Sequence, residues 1–462
     1  MQMEWLMTDG SILAQSLLRR QDFYRYAPDA KGDYARGKWR QVGSLPAPYA
    51  PAYFASNVLA DGRFAIIGGE YNTGGKYTLQ LTNLGAIYDP LKMTWTTLGH
   101  PQGWGWIGDS PSSVLPDGRF LLGDKLHEWD AYLDPKTLQW IKVSNAGKAD
   151  FNAEEGWTLL ADGTIFTADV SDAPNSEIYD PVTGRWKSAG STIVDLHSPT
   201  PDRDCIKYGP SPKDCYAAPG EIGPAILRPD GTVFYTGSFS GPLGNGAGHT
   251  AIYHSRGPKA GKWTAGPDFP NGDNAGDSFA VLEPSGNVLV FGDSGAVYEW
   301  NGKTFTQARD VWGVGPPLLL PTGQIMMLAA SAVTLYNPTG SPDPSWAPAI
   351  KSYPKSVAPG MTYKITGTQF NGLSQAMSYG DELQNPTNYP LVRITNVASG
   401  NVYYARTHDH STMGVATGRR FVWTYFDVPI RIATGAASLE VVANGIASKP
   451  VKITVNRKSG QF

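Results

Sequence analysis

The feature that most constrains this chain is a turn that keeps returning. Asp9-Gly10, Asp61-Gly62, Asp117-Gly118, Asp162-Gly163 and Asp230-Gly231 are followed by the variants Ser285-Gly286 and Thr322-Gly323. Each opens a short apolar run, such as Phe64-Ala65-Ile66-Ile67 or Val288-Leu289-Val290-Phe291. Asp-Gly between two β-type runs predicts a hairpin, because glycine accepts the φ > 0 that a tight turn requires. A third run ends at Tyr88-Asp89-Pro90, Leu133-Asp134-Pro135, Tyr179-Asp180-Pro181 and Tyr336-Asn337-Pro338. Proline cannot extend a ladder, so each marks a strand end. A tryptophan then marks a fourth strand: Trp39, Trp95, Trp140, Trp186 and Trp263, with Phe305 in the sixth copy. One four-stranded sheet of this size cannot bury both faces, so the copies must stack. Seven copies predict an all-β, seven-bladed propeller over residues 1–340. Its aromatic side chains are expected to pack between blades as core.

The seventh copy lacks its tryptophan strand. Residues 341–348, with Ser341-Pro342-Asp343-Pro344, read as a linker. Either that stretch or chain upstream of Met1 is expected to complete the last blade. Beyond it, runs such as Tyr363-Lys364-Ile365-Thr366, Leu391-Val392-Arg393-Ile394 and Val451-Lys452-Ile453-Thr454-Val455 alternate between Gly, Asn and Pro. Residues 349–456 therefore predict an immunoglobulin-like β-sandwich, followed by a tail at 457–462. Fifty-three glycines, 36 prolines and 17% charged residues suit a turn-rich all-β protein. The formal charge of -3 gives no basic footprint for nucleic acid. No apolar run approaches the ~20 residues of a membrane helix.

The two cysteines, Cys205 and Cys215, flank a loop-like segment. They read as a disulfide, which implies an oxidising compartment; two free thiols are the alternative. Zinc is not expected, because no third cysteine or nearby histidine completes a site. Met1 to Gly10 reads as strand and turn rather than as a leader. The sequence as given therefore reads as a mature or shortened form of a secreted or periplasmic protein.

The turn spacing scatters around the ~50-residue kelch period. A kelch propeller followed by such a sandwich resembles the galactose oxidase and glyoxal oxidase group of secreted copper-radical enzymes. The stretch from Tyr389-Pro390-Leu391-Val392-Arg393 to Arg406-Thr407-His408-Asp409-His410 is similar to a bacterial branch of kelch proteins carrying this sandwich. The resemblance implies copper held by a cysteine-linked tyrosine, a second tyrosine with an adjacent histidine, and a histidine from a sandwich loop. Tyr53 matches the first tyrosine, eight residues ahead of its turn. The other positions hold Met1 and its neighbours, Gly313 and Val314, and Asp381, Glu382 and Gln384. Copper favours imidazole and sulfur, so copper is not expected here.

The same offset can be read in every blade. Eight residues ahead of the turns stand Met1, Tyr53, Asp109, Glu154, Ile222, Asp277 and Val314. Equivalent positions of a propeller converge at one end of its channel. Asp109, Glu154 and Asp277 therefore predict an acidic mouth, with Glu155 and Glu221 adjacent and Asp381 and Glu382 arriving on the sandwich loop. Converging carboxylates repel unless a cation, a proton or hydrogen-bond donors compensate. Three readings follow: acids that accept backbone N–H groups, a sugar or polyol site, or a Ca²⁺, Mg²⁺ or Mn²⁺ site. His408 and His410, alternate residues of one run, are a second metal candidate, against a hydrogen-bonded turn. His249 and His254 are expected to be structural or exposed. The function expected is extracytoplasmic binding, by a monomer, of a carbohydrate-like small molecule or cell-surface glycan at the mouth. The alternatives are a galactose oxidase-like oxidoreductase and a carboxylate-dependent glycoside hydrolase at the same place.

Overall fold

A computed structural model describes residues 3–76, 79–198, 206–207, 215–216, 220–239, 246–313, 315–329, 332–377, 380 and 382–457. Cys205, Met1, Val314 and Asp381 lie outside the described residues, as does the side chain of Cys215. The expected disulfide therefore falls there too.

The chain builds seven small antiparallel sheets whose strands pair in sequence order. Their inner strands are Glu4–Leu6, Ala55–Val58, Ser112–Val114, Thr158–Leu159, Ala225–Leu227, Ala280–Leu282 and Pro317–Leu319. The first and last of these stand side by side, so the ring closes as a seven-bladed propeller. All seven turn glycines have positive φ, from 73° at Gly10 to 91° at Gly118. The aspartate ahead of five of them explains its own presence. Its carboxylate accepts the N–H two residues on, at Ser11, Arg63, Arg119, Thr164 and Thr232. Asp89, Asp134 and Asp180 cap the turn after the third strand in the same way.

Aromatic side chains join neighbouring blades. Trp5 of blade one lies 5.8 Å from Phe54 and 4.8 Å from Phe64 of blade two. Phe234 of blade five stacks at 3.7 Å on Trp300 of blade six. The fourth-strand tryptophans lie where the sequence places them. Blade seven has three strands among the described residues, ending with Ala332–Tyr336. Residues 341–348 add no strand to it; they hold a single 3-10 turn, Pro344–Trp346.

The C-terminal strands form one sheet that curls on itself. Val402–His408 pairs with Leu391–Asn396 through its first half and with Val422–Asp427 through its second. Residues from both halves, among them Ile365, Val392, Phe426, Leu439 and Ile453, share a separate core. This domain docks on the Asp-Gly end of the propeller. Thr407 N–H donates to Thr8 O (3.1 Å), His410 N–H to Ala60 O (3.0 Å) and Met413 N–H to Pro116 O (3.1 Å). Glycine is needed at Gly10 for this docking as well as for φ: a Cβ there would lie 2.4 Å from the Tyr404 ring.

The domain also sends an arm, residues 373–388, into the channel. Gln375 Oε1 accepts the N–H of Leu159, an inner-strand residue of blade four (2.8 Å). Met377 bridges Val281 of blade six. Gln384 Oε1 accepts from Ser56 N–H (3.0 Å) and Ser112 Oγ (2.7 Å). Asn385 Nδ2 donates to Glu4 O (3.0 Å). The described residues of the arm have little regular structure, so the inner strands satisfy their polar groups.

Candidate functional site

The inner strands begin at the channel end opposite the docked domain, and there the arm tip meets blades two to four. Phe54 N–H donates to Glu382 O (3.3 Å), which sets Glu382 beside Tyr53. Glu70 follows the second strand of blade two, after Gly68 and Gly69. One oxygen each from Glu70, Asp109 and Glu382 lies within 4.8 Å of the other two. The ring centroids of Tyr53 and Tyr71 are 5.9 Å apart, edge to face. Asp109 is buried, whereas Tyr53, Glu70, Tyr71, Glu154 and Glu382 are half-buried around it.

A lysine compensates these acids. Lys125 Nζ donates to Asp109 Oδ2 (2.6 Å) and to Glu154 Oε1 (2.7 Å). The ammonium itself is buried, 4% exposed. Burial pushes the Asp109 carboxyl well above the usual range; Lys125 pulls it back, and Glu70 and Glu154 push it further up. Burial, then Glu70, likewise raises the Tyr71 phenol, so it remains a hydrogen-bond donor at neutral pH. Asp109 Oδ1 is buried with no hydrogen-bond partner.

Backbone strain gathers at the offset read from the sequence. Tyr53 (φ 52°), Glu154 (61°) and Asp277 (52°) are left-handed non-glycine residues at equivalent places in blades two, four and six. Such strain is costly and collects at functional sites. Of the residues singled out, Tyr53, Asp109, Glu154 and Glu382 come together. Asp277 is exposed on the rim, its N–H donating to Ile222 O (3.3 Å). Glu221 is half-buried and pairs through its backbone with Ser198.

Glu155 is not at the mouth, which corrects the sequence reading. It is fully buried in blade four with Asp150, Asp169 and Glu177 around Lys148. The left-handed turn at Glu154 sends adjacent carboxylates opposite ways. Burial pulls the Lys148 ammonium down, but Glu155, Asp150, Glu177 and Asp169 together hold it well above its usual value. Burial, then Asp150 and Glu177, raises Asp169 to about 8.

His408 and His410 do not form a shared imidazole pair. The strand ends at His408, and the left-handed Asp409 (φ 50°) breaks the alternation. His408 Nδ1 faces Asp409 (2.8 Å) and its Nε2 faces Asp427 (3.2 Å). His410 is buried with Nδ1 on Thr424 Oγ1 (2.9 Å), and burial lowers it to about 3. His249 faces Asp268 and His254 faces Thr264, in line with structural roles.

Glu70, Tyr71 and Lys125 were missed from sequence. They follow second strands, which end at the same end of the channel where first strands begin. Reading the same register after Phe64–Ile67 and Phe120–Gly123 finds all three. Copper does not fit this donor set. Hard carboxylates and a buried ammonium surround Tyr53, whereas copper favours imidazole and sulfur. The histidines engage Pro101, Asp124, Asp195, Asp268, Thr264, Asp409, Asp427 and Thr424 instead.

No family model and no curated protein matches this sequence. Among solved structures it is similar to a fungal alcohol oxidase of the AA5 family, determined with copper. That protein is 14% identical with a TM-score of 0.51, over 98% of this chain and 96% of its own. A second likeness is the extracellular domain of a putative one-component system from B. thetaiotaomicron. It is 10% identical with a TM-score of 0.46, over 99% of this chain and 56% of its own. A third is a streptogramin B lyase, 12% identical with a TM-score of 0.44, over 72% of this chain and 93% of its own. At these identities the likeness to the alcohol oxidase is one of fold: a seven-bladed propeller carrying an added β-sheet domain.

Proposed function

We propose that this chain is a kelch-type propeller that acts outside the cytoplasm and binds a carbohydrate or polyol at the acidic mouth of its channel. The observation that carries the reading is the meeting of Glu70, Asp109 and Glu382 within 4.8 Å, beside two tyrosines and a buried lysine. Carboxylates accept hydroxyl protons, Lys125 and the Tyr71 phenol donate, and the tyrosine faces take the C–H surface of a sugar ring. The strained backbone at Tyr53 and Glu154 fits preorganisation of such a site.

Calorimetric titration with a panel of neutral sugars and polyols tests this. At least one member should bind, and Glu70→Gln and Glu382→Gln should each weaken it about tenfold or more, since a hydrogen bond to a charged group is worth ~1.5–3 kcal/mol. If no member binds at millimolar concentration, or neither variant weakens binding, the reading fails.

The same observation favours one second reading. Paired carboxyls ~5–5.5 Å apart suit retaining glycoside hydrolysis, with the group of raised pKa as acid. Asp109 would be that acid and Glu70 the nucleophile. Release of reducing sugar from bound oligosaccharide, lost in Glu70→Gln, would convert the binding protein into a hydrolase.

A further inference from the structure

Blade four contains a second acidic cluster whose charges do not balance. Asp150 (5% exposed), Glu155 (0%) and Asp169 (2%) each place one oxygen within 4.8 Å of the other two. Glu177 (2%) stands beside them. Four carboxylates thus face one ammonium, Lys148. It donates to Asp150 Oδ1 (2.6 Å) and Glu155 Oε1 (2.7 Å), and Glu177 Oε2 lies at ion-pair distance (2.9 Å). None of these contacts reaches Asp169. Both of its oxygens are buried without a hydrogen-bond partner, although one of them lies within the cluster. A buried carboxyl aimed at two others, with no donor on either oxygen, is costly unless something occupies the space between them.

We infer that blade four binds a calcium ion through Asp150, Glu155 and Asp169. Oxygen-only donors select a hard cation. Mg²⁺ keeps several waters and demands octahedral geometry, whereas Ca²⁺ accepts mono- or bidentate carboxylates at variable angles. Donors buried this deeply suit the ion that sheds water readily. Lys148 then orients Asp150, Glu155 and Glu177 rather than neutralising the group alone. Ser171 N–H on Asp150 Oδ2 (3.0 Å) holds the first of these carboxylates in place. The ion would also pin the segment from which Glu154 reaches Lys125.

Terbium, which replaces Ca²⁺ on oxygen donors, gives a direct readout. Trp157 Nε1 lies 3.4 Å from Glu155 Oε2 and is placed to transfer excitation to it. The chelator-treated protein should bind one Tb³⁺ per chain with tryptophan-sensitised emission, displaced by Ca²⁺ more readily than by Mg²⁺. Asp169→Asn should weaken Tb³⁺ binding at least ~10-fold, and Glu70→Gln should leave it unchanged. Emission that survives Asp169→Asn but is lost in Glu70→Gln or Glu382→Gln would put the ion at the mouth and overturn the inference. Should Asp169→Asn fail to fold, elemental analysis and melting of the unmutated protein decide. One calcium per chain, and a melting point that falls on chelation, supports the site. No calcium, and no shift on adding Ca²⁺ or Tb³⁺, overturns it.

Discussion

Lys125 decides whether the mouth acids can share one place. It is buried against Asp109 and Glu154, and its removal leaves Asp109 an uncompensated buried charge with Glu70 alongside. Breaking such a pair costs ~3–5 kcal/mol. Lys125→Met should therefore lower stability by about that amount at pH 8 in urea unfolding. The loss should shrink as pH falls and Asp109, held up by burial, takes a proton. Glu283 makes a separate pH prediction. Burial, then Glu299, raises it to about 8, while the Ser285 hydroxyl opposes this weakly. A carboxyl raised on folding lends stability that is complete below its unfolded pKa and is lost as pH rises through about 8. The slope in that window is at most ~1.4 kcal/mol per pH unit. Glu283→Gln should flatten it, read as unfolding free energy at pH 5, 7 and 9. The offset ahead of each turn made Tyr53, Asp109 and Glu154 legible in the sequence, because a propeller repeats its register. Lys125 was not legible, since a lysine after a strand looks solvated until another strand's acid is known to face it.

The channel arm is the element that joins domain to site. Its tip carries Glu382, and Gln384 fastens that tip. The amide accepts from Ser56 N–H and Ser112 Oγ, and donates to Gly380 O (3.1 Å). Each buried group left without a partner costs ~1–3 kcal/mol. Gln384→Ala should thus destabilise by about 2–4 kcal/mol and weaken sugar binding as well, by loosening the tip that carries Glu382. Equal loss of stability with unchanged affinity would separate the arm from the site. The blades were readable because each turn and strand end carries its own chemistry. The arm was not. A segment of Gly, Ser, Gln and Asn between strands has no period, and its conformation is set by inner-strand groups hundreds of residues away. Glu155 fails similarly: sequence adjacency to Glu154 says nothing about a left-handed backbone that turns the two apart.

At the scale of the molecule, the added domain behaves as part of the propeller. Domains of one chain usually meet over modest, mobile interfaces. Here backbone hydrogen bonds to the turns at Thr8, Ala60 and Pro116 combine with an arm bonded to the inner strands. Calorimetry should show one cooperative transition, with van't Hoff and calorimetric enthalpies equal; two resolved transitions would mean that the arm does not couple the domains. The fold class was legible because seven turn-and-strand signatures leave few other arrangements. How the second domain docks was not, since its contacts are backbone groups shared by any sequence. The central claim is that acids from blades two and three and the arm tip make one sugar site. A crystal structure grown with the tightest-binding sugar of the panel tests it most directly. The ligand should be seated against Tyr53, Glu70 and Glu382, with Asp109 and Lys125 beneath it. A sugar bound elsewhere, for instance on the exposed Trp312 face of blade six, with the mouth empty, would contradict it.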